Sequence, residues 1–241
     1  MRRCALQGKR IVLRAPLFCK RGAVSFTTRA SDGIIGTAYG MRPSQKRGKG
    51  CMAQINDIGI DLGTSQVLIY VRGRGIVLRE PAVVAVDRNS NKVLAVGTDA
   101  YKLIGRTPGN VQAIRPLRQG TVGDFELTKE LIHTMIRHVI GRHWLARPRA
   151  VLSLPTGVSE TEQRAIMSVL FDAGMRKTQL LERPIAAAIG IGLHFMEPYG
   201  NLIVDMGAGA SDIAVLSSSE VIVGTVSPIG GDYFDDAIIR Y

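Results

Sequence analysis

Asp57-Ile-Gly-Ile-Asp61-Leu-Gly-Thr64 is the stretch from which the rest of the chain is read. Apolar residues alternate toward Asp61, the alternation of a half-buried strand, and Gly63-Thr64-Ser65 then marks a turn. Val67 to Val71 reads as the return strand, and Gly73-Arg-Gly75 turns into a third strand at Ile76 to Leu78. The same order recurs late in the chain. Asn201-Leu-Ile-Val204-Asp205 runs into Met206-Gly207-Ala208-Gly209-Ala210, Ser211 to Leu216 returns, and Glu220 to Val226 is a third strand. Strand, aspartate, glycine turn, strand, turn, strand: the chain carries an internal structural repeat, weak in letters and clear in layout.

Each repeat has one physical logic. A strand ends in a carboxylate, and the glycine after it lets the backbone approach closely and adopt positive φ. Turn N–H groups aimed into a cleft hold phosphate oxygens. A carboxylate beside them suits Mg²⁺, which keeps its waters and binds few protein ligands directly. Two such turns facing each other would clamp a triphosphate from both sides. Neither turn is a Walker loop, because no Gly-Lys-Ser/Thr follows, and no Gly-x-Gly-x-x-Gly joins a strand to a helix.

Between the repeats, Ala82 to Val86 and Val93 to Val96 read as short strands, with a short helix over Asp99 to Ile104. Thr107-Pro-Gly109 and Arg115-Pro116 read as irregular connections. Leu127, Leu131, Ile132, Met135 and Val139 share one face of a helix from Phe125 to Gly141, which Asp124 caps. Ala150 to Leu154 is a buried-looking strand. Ser159 and Glu162 form a capping box for a helix faced by Ala165, Ile166, Val169, Leu170 and Ala173. A strand at Gln179 to Leu181 precedes a helix opened by Pro184, and Asp232 begins a last helix.

Composition locates the charge. Of the 31 Lys and Arg, 12 lie in residues 1–51, together with only one of the 20 acids, Asp32. Residues 52–241 therefore hold 19 of each and are formally neutral, so the net charge of +11 is no nucleic-acid footprint for the body. All three cysteines, Cys4, Cys19 and Cys51, also precede Met52, which leaves the body without disulfides or thiol metal ligands. Three readings of 1–51 stand open: a start-site artefact with the true start at Met52, a disordered basic arm, or an organelle transit peptide. Its apolar run Ile11-Val12-Leu13 is broken at once by Arg14 and forms no signal-peptide core.

At this point the residues resemble a known family. Asp57-Ile-Gly-Ile-Asp61-Leu-Gly-Thr64 is similar to the first phosphate motif of the actin, sugar kinase and heat-shock chaperone ATPase superfamily. Gly73-Arg-Gly-Ile76, Arg79-Glu-Pro81, Ile104-Gly-Arg-Thr-Pro108, Ala113-Ile-Arg-Pro116-Leu117, Glu182-Arg-Pro184-Ile-Ala-Ala-Ala-Ile-Gly190 and Asn201-Leu-Ile-Val-Asp205-Met-Gly207 narrow the resemblance to the bacterial actins of the MreB and Mbl type. It runs from about Ile55 to Tyr241. It implies an α/β fold that is actin-like, or ribonuclease H-like, with a mixed five-stranded sheet and flanking helices. A first lobe is expected over residues 52–200, with a small inserted subdomain at about 80–122, and the start of a second repeat of the fold over 201–241.

The resemblance further implies ATP and Mg²⁺ as cofactors. Gly63, Thr64, Ser65 and Gln66 would meet the phosphates from one side, and Gly207, Ala208, Gly209 and Ala210 from the other. Asp61 and Asp205 would hold magnesium through water, and Asp124 would lie near the γ-phosphate. The implied protein forms filaments by self-association at the inner face of the cytoplasmic membrane. There it organises cell-wall elongation proteins and sets rod shape, without nucleic-acid partners. Trp144 and Leu145, flanked by Arg142 and Arg147, stand where the family inserts a loop into the membrane, and a Trp-Leu pair among cations suits the headgroup level.

Two departures bear on the chemistry. The family reads Glu-Glu-Pro where this chain has Glu182-Arg183-Pro184, so the water-orienting carboxylate is replaced by a guanidinium and Glu182 is the only catalytic carboxylate left there. Losing such a group costs roughly 10²–10⁴ in rate. The family's Gly-Gly-Gly-Thr-Thr is Gly207-Ala208-Gly209-Ala210-Ser211, which removes a hydroxyl unless Ser211 substitutes. The expectation is persistent ATP binding with weak ATPase activity. The competing expectations are a truncated, non-polymerising regulatory module and a small-molecule kinase of the same superfamily. His133, His138 and His143 recur every five residues, spiral around the helix and make no metal set.

Overall fold

The computed structural model describes residues 11–14 and 57–241, apart from 106–108, 119–120 and 142–147. The chain divides into two compact units. Unit 2 comprises residues 45–154 and 158–181, and unit 1 comprises residues 1–44, 155–157 and 182–241. The first described segment, strand β1 (Ile11–Arg14), belongs to unit 1.

Unit 2 is built on a five-stranded mixed sheet. Strands β2 (Asp57–Leu62), β3 (Gln66–Val71) and β4 (Gly75–Pro81) form an antiparallel meander. The alternation read from the sequence is the alternation of burial: Ile58, Ile60 and Leu62 point inward from β2, and Val67, Ile69 and Val71 from β3. A three-stranded antiparallel sheet follows, of β5 (Val84–Asp87), β6 (Val93–Val96) and β7 (Val111–Ile114), with helix α1 (Thr98–Tyr101) beside it. It has its own small core of Val83, Ala85 and Ala100. Strand β7 lies between the two irregular connections read at Thr107-Pro-Gly109 and Arg115-Pro116, and the two-residue strands β8 (Leu117–Arg118) and β9 (Thr121–Val122) follow them, where the sequence reading named no strand. Their partners are supplied by tertiary pairing, which short-range turn signals do not report.

Helix α2 (Phe125–Ile140) lies as its period requires, burying Leu131, Ile132, Met135 and Ile136. Strand β10 (Arg149–Leu154) runs parallel to β2. Helix α3 (Glu160–Asp172) begins at the Ser159/Glu162 capping box, with both reciprocal bonds formed, and buries Ile166, Val169 and Leu170 on the same core. Strand β11 (Lys177–Glu182) completes the order β11-β10-β2-β3-β4.

Unit 1 repeats the meander. Helix α4 (Arg183–Gly190) opens it, followed by β12 (Asn201–Met206), β13 (Ser211–Ser217), β14 (Glu220–Ser227) and helix α5 (Gly231–Arg240). The sheet order is β1-β12-β13-β14. Its core is small: Ala187 and Ala188 from α4, Phe195, and Ile203, Ala214 and Leu216 from the sheet. Helix α5 buries no residue, and Tyr233, Phe234, Ile238 and Ile239 are exposed. The tight β13–β14 hairpin places Ser218 at φ 51 and Ser219 at φ 71, a conformation that non-glycine residues take at a cost.

Candidate functional site

The two glycine turns match atom for atom in their closing bond. In unit 2 the Gly63 N–H donates to the Gln66 carbonyl at 3.1 Å. In unit 1 the Gly207 N–H donates to the Ala210 carbonyl at 2.8 Å. Each glycine stands two residues after the terminal aspartate of its strand, and each acceptor three residues further on. The reason for glycine differs from the sequence expectation. Neither Gly63 nor Gly207 is among the positive-φ residues. A Cβ on Gly63 would instead stand 2.9 Å from the Gln66 carbonyl oxygen, and one on Gly207 3.0 Å from that of Ala210. Close approach of the turn to itself excludes a side chain.

Among the described residues, the backbone N–H groups of Ser65 in unit 2 and of Ala208, Gly209 and Ala210 in unit 1 take part in no backbone hydrogen bond. A turn with several uncommitted donors is an anion cradle. In unit 2, Asp61 projects exposed from the end of β2, and its Oδ1 accepts a 2.8 Å hydrogen bond from the Ser153 hydroxyl on β10. Thr64 is buried in the turn. Gln66 starts β3 and contributes its carbonyl to the turn. In unit 1, Asp205 stands at the equivalent end of β12, in register with Asp212 on β13. Carboxylate and carbonyl oxygens are the hard donors that suit hydrated Mg²⁺, so the donor set fits that ion in chemistry.

The turn in unit 1 has a support that the sequence reading missed. The Gly231 N–H donates to the Gly207 carbonyl at 3.0 Å and the Asp232 N–H to the Ala208 carbonyl at 2.8 Å. The first turn of α5 thus holds the carbonyl side of the glycine loop. A Cβ on Gly230 would collide with the Ala208 carbonyl oxygen. The doublet Gly230-Gly231 ahead of a helix was the available signal.

Arg183 settles differently from a group facing a phosphate. Its Nη1 lies 2.9 Å from Asp212 Oδ2, with the two side chains 13% and 1% exposed. Asp212 Oδ1 accepts a further bond from the Thr156 N–H at 3.1 Å. One buried carboxylate therefore ties α4 to β13 and to residues 155–157. Glu182 sits at the N-cap position of α4 without a capping bond, and its Oε2 is buried with no hydrogen-bond partner. Ser211 does not supply the missing hydroxyl, since its Oγ donates to the Ile229 carbonyl at 2.6 Å. Asp124 acts as the cap of α2, its Oδ1 accepting from the Leu127 N–H at 3.0 Å. Trp144 and Leu145 lie outside the described residues.

At the other end of β2, Asp57 is held by two arginines, Arg72 Nη1 at 3.0 Å and Arg149 Nη2 at 2.6 Å. The Arg72 hydrogen bond foremost, and then that of Arg149, keep its carboxyl below the ordinary aspartate range. This brace joins β2 to the Arg72 turn and to β10, remote from the glycine turn. A cleft of about 450 Å³ in unit 2 is lined by Arg74, Val77, Leu78, Arg79, Glu80, His138 and Val139, none of them in the glycine turn of residues 63–66. Among the described residues no cluster of His, Cys, Asp and Glu is arranged to hold a metal directly, and no helix is long and apolar enough to cross a membrane.

Residues 55–241 match the family model described as MreB/Mbl protein. The chain is 45% identical over 185 residues to the cell shape-determining protein Mbl of Bacillus subtilis, covering 77% of this chain and 56% of that one. It is 45% identical over 191 residues to the cell shape-determining protein MreB of Escherichia coli, covering 77% and 55%. Among solved structures it resembles MreB5 of Spiroplasma citri bound to ADP, with a TM-score of 0.70 and 34% identity over 77% of this chain and 55% of that one. The same protein bound to AMPPNP gives a TM-score of 0.69. The chain thus spans about half the length of the relatives it matches.

Proposed function

Because the chain belongs to the MreB/Mbl family and has its actin-like fold, we propose that it binds ATP with Mg²⁺ through its two glycine turns and takes part in cell-shape filaments. The carrying observation is the shared turn: the same closing bond, the same aspartate two residues before the glycine, and uncommitted amides in both units. ADP and AMPPNP in the solved MreB5 structures support a nucleotide as the anion.

In this proposal Thr64 and the Ser65 amide of unit 2, and the amides of Ala208, Gly209 and Ala210 of unit 1, are the phosphate-binding groups. Asp61 and Asp205 orient the waters of the metal. Magnesium, when bound, would neutralise phosphate charge. The protein's own residues supply no ready general base at position 183. The Arg183 guanidinium is engaged by Asp212, so it neither accepts a proton from water nor has its full charge for a phosphate. Glu182 is the neighbouring carboxylate. Hydrolysis is accordingly slow, and bound ATP persists.

Assembly completes the proposal. The protein self-associates into filaments at the inner face of the cytoplasmic membrane, with Trp144 and Leu145 entering the headgroup layer, and there meets cell-wall elongation proteins. Titration with ATP in the presence of Mg²⁺ tests the nucleotide half. Saturable binding that weakens at least tenfold in Gly207→Val supports it, and wild-type affinity in that variant overturns it. A second reading, a non-polymerising regulatory relative, is favoured by the buried Arg183–Asp212 pair. Pelleting with ATP on anionic liposomes separates the two, since only the filament former sediments in an ATP-dependent way.

A further inference from the structure

The cleft between β4 and the end of α2 has no part in the glycine turn of unit 2. Its shape follows from an irregularity in the sheet. Strand β4 pairs with β3 at Ile69↔Leu78 and next at Tyr70↔Ile76, so Val77 is an extra residue without a register partner. A bulge of this kind re-aims the side chains around it. In a regular strand Val77 and Leu78 would point to opposite faces, yet both line the one cleft. Leu78 and, from α2, Val139 also pack on the core of unit 2, which gives the cleft an apolar floor. The rim is cationic. Arg74 stands at the tip of the β3–β4 hairpin between Gly73 at φ 80 and Gly75 at φ 78, a backbone that glycine takes without steric cost. Arg79 and His138 are exposed, and their side chains make no hydrogen bond or ion pair among the described residues. The one carboxylate in the lining, Glu80, is taken up by the Thr98 N–H at 2.7 Å and by the Thr98 hydroxyl. Asp99, whose charge His138 also feels, is paired with Lys102 at 2.8 Å.

A cleft of about 450 Å³ with an apolar floor and a few convergent cations has the make-up of a ligand site. Guanidiniums hold phosphate by charge-assisted hydrogen bonds, and the floor suits the carbon skeleton that carries the phosphate. We propose that the cleft binds a phosphate ester with a short apolar body, and that its source is the headgroup of an anionic glycerophospholipid. The lipid source rests on the membrane placement proposed above. His138 and Val139 stand in the last turn of α2, and Trp144 and Leu145 follow Val139 by five and six positions in the sequence. A segment that enters the headgroup layer there brings the cleft to the level of the lipid phosphates, where each basic side chain adds to the attraction of an anionic surface. The negative end of the α2 dipole, which opposes an anion, is offset by Arg137 and His138 in the same turn.

Soluble glycerol 3-phosphate and vesicles of phosphatidylcholine, with and without phosphatidylglycerol, are the probes, applied to the full chain. Saturable shifts of the His138 ring resonances by glycerol 3-phosphate are expected, and they are expected to vanish in Arg74→Gln with Arg79→Gln and in Val77→Asp, which sets a carboxylate on the exposed edge of the floor. The same two variants are expected to lower partition onto the phosphatidylglycerol vesicles by roughly tenfold or more. The charge-matched control, Arg88→Gln with Lys92→Gln in the turn between β5 and β6, is expected to stay within about twofold of wild type, because screening confines such charges to their own surroundings. No saturable shift in the wild type overturns the site, even where partition falls, since general surface attraction then suffices. Saturable shifts with both cleft variants partitioning like the control overturn the lipid source and assign a soluble phosphate ester instead. Trp144→Ala with Leu145→Ala separates this proposal from the membrane placement: the variant is expected to leave the vesicles while glycerol 3-phosphate still shifts His138. A wild type that ignores every vesicle overturns the membrane placement and the lipid source together, and the His138 shifts then decide the anion site by themselves.

Discussion

Replacing Arg183 by Met removes the guanidinium from a pair in which Asp212 is 1% exposed and Arg183 13%. The Asp212 carboxylate then keeps one donor, the Thr156 N–H at 3.1 Å, and its Oδ2 loses the arginine that stood 2.9 Å away. Breaking a buried ion pair by removing one partner costs about 3–5 kcal/mol, because a desolvated charge is left behind. The retained Thr156 bond places the expected loss near the lower end, about 3 kcal/mol. Replacing both partners with apolar groups, Arg183→Met with Asp212→Leu, removes the buried charge and leaves the Thr156 N–H without its Asp212 acceptor, a loss of about 1 kcal/mol. The double variant is therefore expected to be more stable than the single one by about 2 kcal/mol. Native-state hydrogen exchange of β12 and β13 amides reports unit 1 separately from unit 2 and is the suitable assay. A single-variant loss below about 1 kcal/mol would show that water screens the pair and would refute this reasoning.

Restoring a carboxylate at position 183 tests the hydrolysis argument. Arg183→Glu alone sets two carboxylates against each other and is expected to destabilise unit 1, whereas Arg183→Glu with Asp212→Asn is expected to raise ATP turnover by roughly 10²; unchanged phosphate release at saturating ATP counts against it. Gly63→Ala is expected to weaken ATP binding on the order of tenfold, since its Cβ would meet the Gln66 carbonyl oxygen at 2.9 Å, and calorimetric titration reads the change. Ser219→Gly, at φ 71 in the β13–β14 hairpin, is expected to raise the stability of unit 1 by about 1 kcal/mol, and slower β14 exchange is the sign to look for. The carboxyl of Asp57 is depressed in the folded state by Arg72 and Arg149. Its contribution is thus present above the unfolded-state value and is lost as pH falls through the folded one, so Asp57→Asn should destabilise unit 2 at neutral pH but match the wild type at the acid end of an unfolding series. A constant difference at every pH contradicts this sign.

The sequence alone determined the two meanders, their terminal aspartates and their glycine turns, and the helices α2 and α3 with their caps. These features are encoded locally. Alternation of period two, helical spacing and a serine three residues ahead of a glutamate act between neighbours, and neighbours are visible in a string of letters. Tertiary structure alone decided what the uncommon residues do. Arg183 lies 29 positions from Asp212, Ser211 lies 18 from Ile229, and β1 pairs with a strand at the far end of the chain. Register and packing choose such partners, and they choose by burial: a guanidinium and a carboxylate brought out of water together pair with each other before they serve a ligand. The same holds for Gly230 and Gly231, whose small size mattered only once the helix they begin was laid against the loop of Gly207 and Ala208.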